Sequence, residues 1–161
     1  MSRLFDDPVA FAGALPEAGA LIGLDLGSKT IGVAASDPRR ALASPLETPP
    51  RGKFGAAAAR LGEIAAHRCA VGFVIGLPLN MDGSEGPAAQ SARAFGRSLV
   101  RALERPALLW DERLSTAAVE RQLIAADASR RRRAEVVDRM AAAYILQGAL
   151  DRLAALQDPP A

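Results

Sequence analysis

The chain has 161 residues, of which 50% are hydrophobic and 24% charged, a length and composition typical of one globular domain with a substantial core. Lysine and arginine exceed aspartate and glutamate by only two, 20 against 18, so the charge permits a nucleic-acid partner without requiring one. The lone Cys69 excludes an internal disulfide, and with the lone His67 it cannot make a Cys/His zinc site. We interpret both as ordinary helix residues in a protein of a reducing compartment.

No targeting segment or membrane span is expected. The N-terminus lacks a basic start followed by an apolar run, and no apolar stretch is long enough to cross a bilayer. We therefore expect a cytoplasmic protein with no membrane partner. Residues 1–19 are predicted to form an N-terminal extension or a short helix that leans on the body, residues 20–156 a single domain, and residues 157–161 a C-terminal tail.

Three strands are predicted to open the domain. Residues 21–27 form a short apolar run that ends at glycine, and residues 30–37 form a second run. The turn chemistry of Gly27–Lys29 between them indicates a hairpin. A third strand is predicted around residues 41–48, before two consecutive prolines.

Helices and strands alternate in the rest of the chain. In order, the predicted elements are a helix over residues 53–69, a central strand over 71–78, a polar loop over 80–86, a helix from Ser84 or Glu85 to about Leu103, a strand over Ala107–Trp110, a helix over 116–126 with Ser115 as its N-cap, a basic connection over Asp127–Arg133, and a final helix from Ala134 to about Leu156. An antiparallel hairpin that leads into βαβ units predicts an α/β fold with a mixed central sheet and helices on both faces.

Acidic residues follow or interrupt the predicted strands. Asp25 lies in an otherwise apolar strand, where a charge is costly unless it is paired or binds a metal; a turn-capping or ion-pair role is the alternative. Asp111 and Glu112 come directly after a strand, at the edge of the sheet where functional groups gather. Neighbouring strand residues point to opposite faces, so we expect only one of the two to face Asp25. The other would pair with Arg113 or cap a helix, unless both simply face solvent.

Asp138 begins the apolar stripe of the final predicted helix, followed on the same face by Ala141, Ala142, Ile145 and Ala149. Small residues let that helix approach the sheet closely, which would aim the carboxylate at the sheet edge. A position near the predicted helix N-terminus also favours an acid through the helix dipole, and capping alone is the alternative. Three converging carboxylates repel each other unless a divalent cation binds. Two Mg²⁺ ions about 4 Å apart could activate a water and stabilise the leaving oxygen of a phosphodiester.

Four segments carry a family resemblance. They are GLDLGSKTIGVAASD (Gly23–Asp37), IGLPLNMDGSEGPAAQ (Ile75–Gln90), DERLST (Asp111–Thr116) and VDRMAAAYILQGALD (Val137–Asp151). In their order and spacing they resemble the YqgF/RuvX family, described as pre-16S rRNA nucleases and Holliday-junction-resolvase-like proteins. The resemblance covers most of residues 21–152 and leaves residues 1–19 outside.

The resemblance implies an RNase H-like fold and endonucleolytic trimming of the 5′ end of precursor 16S rRNA during ribosome biogenesis. It implies Mg²⁺ or Mn²⁺ as the cofactor, with precursor 16S rRNA or branched DNA as the partner of a monomer or weak homodimer. The family's acidic positions fall on Asp25, on the pair Asp111–Glu112 and on Asp138, and we favour Glu112 over Asp111 as the metal ligand.

Several further side chains are candidates for substrate binding. Lys29 could meet a phosphate or be a solvated turn lysine, and Asn80 could position substrate or serve its own turn. Arg113 could bind phosphate bidentately or neutralise one of the acids beside it. The basic run, formed by Arg130, Arg131, Arg132 and Arg133, is predicted to grip the RNA backbone next to the cut and to make binding salt-dependent.

Three other functions fit parts of the pattern. A Holliday junction resolvase would use the same fold and metals on DNA. A sugar kinase or actin-like ATPase would explain LDLGSKTIGV as a phosphate-binding hairpin, but such proteins need two domains of this kind. A non-catalytic RNA-binding or transcription-associated protein would use the basic run without the acids.

Overall fold

The computed structural model describes the backbone of residues 3–114 and 130–157, and the side chains of residues 3–114 and 139–157. In these parts of the chain, a six-stranded mixed sheet carries helices on both faces. An antiparallel hairpin at its centre continues into parallel strands. The predicted α/β architecture is therefore confirmed.

The strands are β1 (Leu4–Phe5), β2 (Ala20–Leu26), β3 (Ile31–Ser36), β4 (Ala43–Glu47), β5 (Ala70–Leu77) and β6 (Ala107–Asp111). The described helices are α1 (Pro8–Ala14), α2 (Phe54–His67), α3 (Pro87–Leu103), α4 (Arg130–Gln157) and a short 3₁₀ helix over Glu112–Leu114. Across the sheet the order is β1-β6-β5-β2-β3-β4. Because β2, β5 and β6 run parallel, their carboxyl ends meet at one edge of the sheet.

Each face of the sheet has its own apolar core. One face packs against α2 and α3, and the other packs against α1 and α4. The predicted stripe of α4 is confirmed from Ala141 onward, since Ala141, Ala142, Ile145 and Ala149 are fully buried. No helix within the described ranges combines the length and hydropathy needed to cross a lipid bilayer.

Gly23 allows α4 to pack very close to the sheet. An ideal Cβ on Gly23 would lie 2.6 Å from the Cβ of Leu146 and 3.0 Å from the carbonyl oxygen of Ala142, so a side chain there would push the helix away. The Gln147 side chain fixes the same helix to the edge strand: its Oε1 accepts a hydrogen bond from the backbone N–H of Ala43, at 2.8 Å. These contacts set the height of α4 above β2.

The N-terminal residues add a strand to the sheet. β1 pairs in parallel with β6, and the backbone N–H of Ala107 donates to the carbonyl of Arg3 at 2.9 Å. Arg93 of α3 forms ion pairs with Asp6 and with Glu85, each at 3.0 Å, and so ties this segment to α3. The segment thus covers the outer edge of β6, while the domain boundaries proposed from the sequence remain predictions.

Three predictions of local structure are wrong. The helix predicted to begin at Ser84 or Glu85 begins at Pro87. Arg130–Arg133 does not belong to a connection, because α4 begins at Arg130; arginine is a good helix former, and helix ends are poorly defined by sequence patterns. Cys69 is not a helix residue, because α2 ends at His67 and Cys69 has a φ of 51°, typical of the residue that follows a helix end. The predicted helix over residues 116–126 lies outside the described residues.

Asp37 closes the turn between β3 and β4. Its carboxylate accepts hydrogen bonds from the backbone N–H groups of Leu42 at 2.9 Å, Ala41 at 2.8 Å and Arg39 at 3.2 Å. These bonds, with that from Leu42 the largest cause, lower the pKa of Asp37 below its ordinary value.

We expect Asp37→Asn to destabilise the protein at neutral pH and to have less effect in acid. A lowered folded-state pKa means that the stabilisation is fully present above the unfolded-state pKa and is lost as the pH falls through the folded-state pKa. Free energies of unfolding from urea titrations should therefore differ most between wild type and variant at neutral pH, and least well below the ordinary aspartate pKa of about 3.9. A difference that does not change with pH would contradict this role.

Candidate functional site

Asp25 stands near the carboxyl end of β2 and faces α4. Side chains two residues apart on a strand share a face, and Gly23 lies directly under Leu146 of that helix. Only 7% of Asp25 is exposed, although the strand around it is apolar. A carboxylate in such surroundings is costly unless polar or charged groups compensate it, which makes Asp25 a candidate functional residue.

Glu112 brings a second carboxylate to the same face. An ideal Cβ on Gly76 of β5 would lie only 2.5 Å from Glu112 Oε1 and 2.7 Å from Ile145 Cδ1. The glutamate therefore reaches back from the 3₁₀ helix over β5, into space that a side chain at position 76 would fill. Ile145 belongs to α4, so Glu112 lies on the α4 side of the sheet.

The strand register places Gly76 next to Asp25. β2 and β5 are parallel, with Gly23 opposite Val74 and Leu24 opposite Ile75. The next step of this register sets Asp25 beside Gly76, and neighbouring strands are about 4.8 Å apart. Asp25 and Glu112 thus bring their carboxyl groups to adjacent strands on one face, at the edge where the parallel strands end.

Asp111 faces the opposite side of the sheet. It is opposite Leu77 in the register of β5 and β6, and both Leu77 and Leu109 pack into the core under α2 and α3. Its carboxylate accepts hydrogen bonds from the backbone N–H of Arg113 at 3.0 Å and from Nη2 of the same residue at 2.8 Å. The bond from the Arg113 side chain is the main cause that lowers the pKa of Asp111, and it raises the pKa of Arg113 in turn.

The loop after β5 is held by its own hydrogen bonds. Asn80 Nδ2 donates to Ser84 Oγ at 2.9 Å, and Ser84 donates to Asp82 Oδ1 through its backbone N–H at 2.9 Å and its hydroxyl at 2.6 Å. The bond from the Ser84 hydroxyl is the largest cause that lowers the pKa of Asp82. Asn80 therefore has a turn-stabilising role in the structure, and its proposed contact with substrate stays a prediction.

Lys29 is exposed in the hairpin turn between β2 and β3, close in sequence to Asp25. Arg51 fixes this turn, since its Nη1 donates to the carbonyl of Gly27 at 2.9 Å and its Nη2 donates to Ser91 Oγ of α3 at 2.7 Å. The backbone N–H of Arg51 also donates to the carbonyl of Lys29 at 2.8 Å. The amine of Lys29 is thus presented to solvent from a turn whose backbone is held in place.

Asp138 and the basic run both lie in α4, at positions whose side chains are outside the described set. Because the helix begins at Arg130, Asp138 follows more than two turns of helix. The predicted stabilisation of Asp138 by the helix dipole, which is limited to about the first turn, is therefore wrong, and so is the alternative of N-terminal capping.

The described side chains provide two carboxylates of a possible metal centre. In residues 3–114 and 139–157, no group of three His, Cys, Asp or Glu side chains could hold a metal ion. Asp25 and Glu112 can accept protons, orient a water, or supply two of the oxygen ligands that Mg²⁺ or Mn²⁺ prefers. A complete ligand set would need a third group such as Asp138.

Sequence reasoning missed two residues that shape this site. Gly76 makes room for Glu112, and an isolated glycine within a strand is a known sign of such a close approach. Arg51 carries no comparable signal, because its partners Gly27 and Ser91 are distant in sequence and meet it only in the folded chain.

Comparison with known proteins identifies the family of this chain. The family model described as "RuvX: Holliday junction resolvase" matches residues 19–152. The chain belongs to the RuvX family. The match starts one residue before β2 and leaves β1 and α1 outside, while the positions of Asp25, Glu112 and Asp138 lie within it.

Relatives within the RuvX family are close in sequence. A protein of Rhodopseudomonas palustris (strain TIE-1) named "Putative pre-16S rRNA nuclease" is 69% identical over 142 residues, which cover 88% of this chain and 89% of the relative. A protein of the same name from Bradyrhizobium sp. (strain BTAi1 / ATCC BAA-1182) is 65% identical over 146 residues, 91% of each chain. Together with the family match, these names support a nuclease, and hence a hydrolase, activity.

The solved structure titled "T. thermophilus RuvC in complex with Holliday junction substrate" has a similar fold. It aligns with a TM-score of 0.53 and 12% sequence identity, over 84% of this chain and 96% of that one. The likeness shows that the mixed sheet of this RuvX-family protein has an RNase H-like fold.

Proposed function

We propose that this protein is a divalent-metal-dependent endonuclease that trims the 5′ end of precursor 16S rRNA during ribosome biogenesis in the cytoplasm. The observation that carries the proposal is the placement of Asp25 and Glu112 on one face, at the carboxyl edge of β2 and β5. The RNA substrate is inferred from the names of the close relatives. The metal is inferred from the chemistry of the carboxylates.

The donor set fits Mg²⁺ or Mn²⁺. Both cations prefer carboxylate oxygens together with water and phosphate, and soft ligands such as Cys69 lie elsewhere. Asp25 and Glu112 would hold the cation, with Asp138 as a third ligand. A cation bound there would supply positive charge to the substrate phosphate and favour ionisation of the attacking water.

The course of α4 supports a role for Asp138. Leu150 and Leu153 line a groove with Leu15, and Leu15 lies near Gly72 at the amino-terminal part of β5. Earlier in the helix, the carbonyl of Ala142 lies against Gly23. The C-terminal part of α4 therefore lies near the amino ends of the parallel strands. Toward its N-terminus, the helix approaches their carboxyl ends. We therefore expect the turn that carries position 138, which precedes Ala142, to lie on the side of Asp25.

In this proposal the candidate residues activate the water or bind the substrate. Asp25 and Glu112 orient the attacking water, and one of the two carboxylates accepts its proton. Lys29, held at the hairpin turn, contacts a phosphate of the bound strand, and the basic run of α4 contacts the RNA backbone beside the cut.

We expect Asp25→Asn, Glu112→Gln and Asp138→Asn each to lower the cleavage rate of a precursor 16S rRNA 5′ leader at least about a hundredfold. Loss of a residue that merely supports a metal ligand already costs up to about a hundredfold. Each substitution should also weaken Mn²⁺ binding in calorimetry. Asp151→Asn, which changes an exposed carboxylate of α4, is the matched control and should cut at the wild-type rate.

Thermal unfolding of each variant would confirm that the domain stays folded. Folded variants with wild-type cleavage would exclude these carboxylates from the reaction. Cleavage that is lost equally in the Asp151→Asn control would show that the effect is not specific to the site.

A second candidate function is resolution of Holliday junctions, favoured by the description of the matching family model. It would use the same carboxylates on DNA. The two candidates separate when the wild-type protein is given a four-way DNA junction and a precursor rRNA leader side by side. We expect faster cleavage of the RNA, and the opposite preference would favour the resolvase.

We expect replacement of all four arginines of the basic run, Arg130–Arg133, by alanine to weaken RNA binding and to flatten its salt dependence. For single-stranded RNA, each neutralised phosphate contributes about 0.7 to the slope of log K against log salt, so four contacts would account for about 3. The measurement is fluorescence anisotropy over a salt series. Arg97→Ala with Arg101→Ala, on the exposed surface of α3, is the control. An unchanged affinity and slope in the four-arginine variant would remove the run from the RNA interface.

A further inference from the structure

We propose that Asp111 and Arg113 form a clamp that positions Glu112, so that neither residue acts on the substrate itself. The proposal rests on the proposed nuclease function of the carboxylate site. The two residues flank Glu112 in the sequence and are bonded to each other on the face of the sheet opposite Asp25.

The contacts between the clamp residues are dense. Arg113 Nε lies 3.1 Å and 3.2 Å from the two carboxylate oxygens of Asp111, and Nη2 lies 2.8 Å from Oδ2. The backbone N–H of Arg113 donates to Oδ1 at 3.0 Å as well. The backbone and the side chain of Arg113 thus both bind the carboxylate of Asp111. These bonds fix the tight turn between the two residues. Glu112 lies at the centre of that turn.

The turn determines which way Glu112 points. Asp111 is the last residue of β6 and faces the core under α2 and α3, while Glu112 Oε1 lies over Gly76 on the α4 face. The backbone at the end of β6 must therefore take a conformation in which the side chains of Asp111 and Glu112 point to opposite faces of the sheet. The bonds between Asp111 and Arg113 hold the 3₁₀ helix in the conformation that meets this requirement.

Arg113 also joins the turn to the loop that follows β5. Its Nη1 donates to the carbonyl of Met81 at 3.2 Å, and a Cβ on Gly83 would lie 3.6 Å from Nη1. Gly76, which makes room for Glu112, lies in the strand directly before this loop. The guanidinium of Arg113 thus connects the 3₁₀ helix that carries Glu112 with the loop after β5, the strand over which the Glu112 carboxylate lies.

The same contacts argue against Arg113 as a phosphate ligand. Its Nε, Nη1 and Nη2 all donate to protein oxygens, and its charge is balanced by Asp111 with Asp82 nearby. To bind phosphate bidentately, the guanidinium would have to leave these partners. Of the two roles that the sequence left open for Arg113, these contacts favour the pairing with a neighbouring acid over the direct contact with phosphate.

The test is steady-state cleavage of the precursor rRNA leader by Asp111→Asn, Arg113→Gln, the double variant and Arg113→Lys. A clamp acts on the geometry of Glu112, so we expect kcat to fall about 10- to 100-fold while KM and the salt dependence of RNA binding stay unchanged. The double variant should be no slower than the slower single variant, because both substitutions break one unit. Arg113→Lys should not restore kcat, since an ammonium cannot bond Asp111 and Met81 as the planar fork does.

Arg60→Gln is the matched control, because Arg60 also bonds two carboxylates, those of Glu47 and Glu63, but lies on α2. It should leave kcat unchanged. Both clamp residues are partly exposed, with side chains 21% and 37% accessible, so the variants are expected to fold, and their melting temperatures would show it.

Two results would overturn the clamp alone. The first is wild-type kcat in Asp111→Asn and Arg113→Gln while Asp25→Asn is inactive. The second is a raised KM and a flatter salt dependence in Arg113→Gln that Arg113→Lys restores, since this is the pattern of a phosphate contact. Absence of cleavage by the wild-type protein would instead overturn the proposed function, and the positioning role with it.

Discussion

The absence of a side chain at position 76 is the constraint on which the site depends. Glu112 Oε1 lies 2.5 Å from where a Cβ of Gly76 would be, and Ile145 of α4 occupies the other side of the same space. Protein interiors are closely packed, so a strand residue with a side chain would displace one of these neighbours. Glycine at position 76 lets the carboxylate of Glu112, in the 3₁₀ helix after β6, keep its observed place over β5, next to Asp25 of β2.

The two faces of the sheet contribute to this arrangement in different ways. The α4 face holds Asp25 and Glu112 beneath a helix that approaches closely because of Gly23 and a stripe of alanines. The opposite face holds Asp111 and Arg113 and the hydrogen bonds that fix the turn and the loop. The alternation of side chains along a strand accounts for this difference, since neighbouring residues of the short Asp111–Arg113 segment point to different sides of the sheet. A single sequence segment, Asp111–Arg113, can thus both present the Glu112 carboxylate on one face and hold the turn that carries it.

Much of this could be predicted from the sequence, for physical reasons that differ between elements. The apolar runs of β2 and β5 and the periodicity of α2 identify buried strands and an amphipathic helix, because burial imposes these patterns directly. The expectation that Asp111 or Glu112 would pair with Arg113 also follows from alternation, and Asp111 does so. The choice of Glu112 over Asp111 as a metal ligand stays a prediction.

Other features could not be read from the sequence. β1 has only two residues and forms through pairing with β6, which is about a hundred residues away. The start of α4 at Arg130 depends on tertiary context, because a basic run fits a solvated connection as well as a helix. The contacts of Arg51 with Gly27 and Ser91 join distant segments. In each case the deciding interaction is long-range, and local patterns carry little information about it.

The role of Glu112 is tested most directly by the cleavage rate of Gly76→Ala combined with Ile145→Val, compared with Ile145→Val alone. Valine removes the Cδ1 atom that would lie 2.7 Å from the new Cβ, so the double variant relieves this clash and leaves only the one with Glu112. A displacement of about 1 Å in a reacting group can cost about a hundredfold in rate. We therefore predict that the double variant stays folded and cuts the precursor rRNA leader about a hundredfold more slowly than Ile145→Val. Equal rates in the two variants would contradict the claim that Glu112 acts from its place over Gly76.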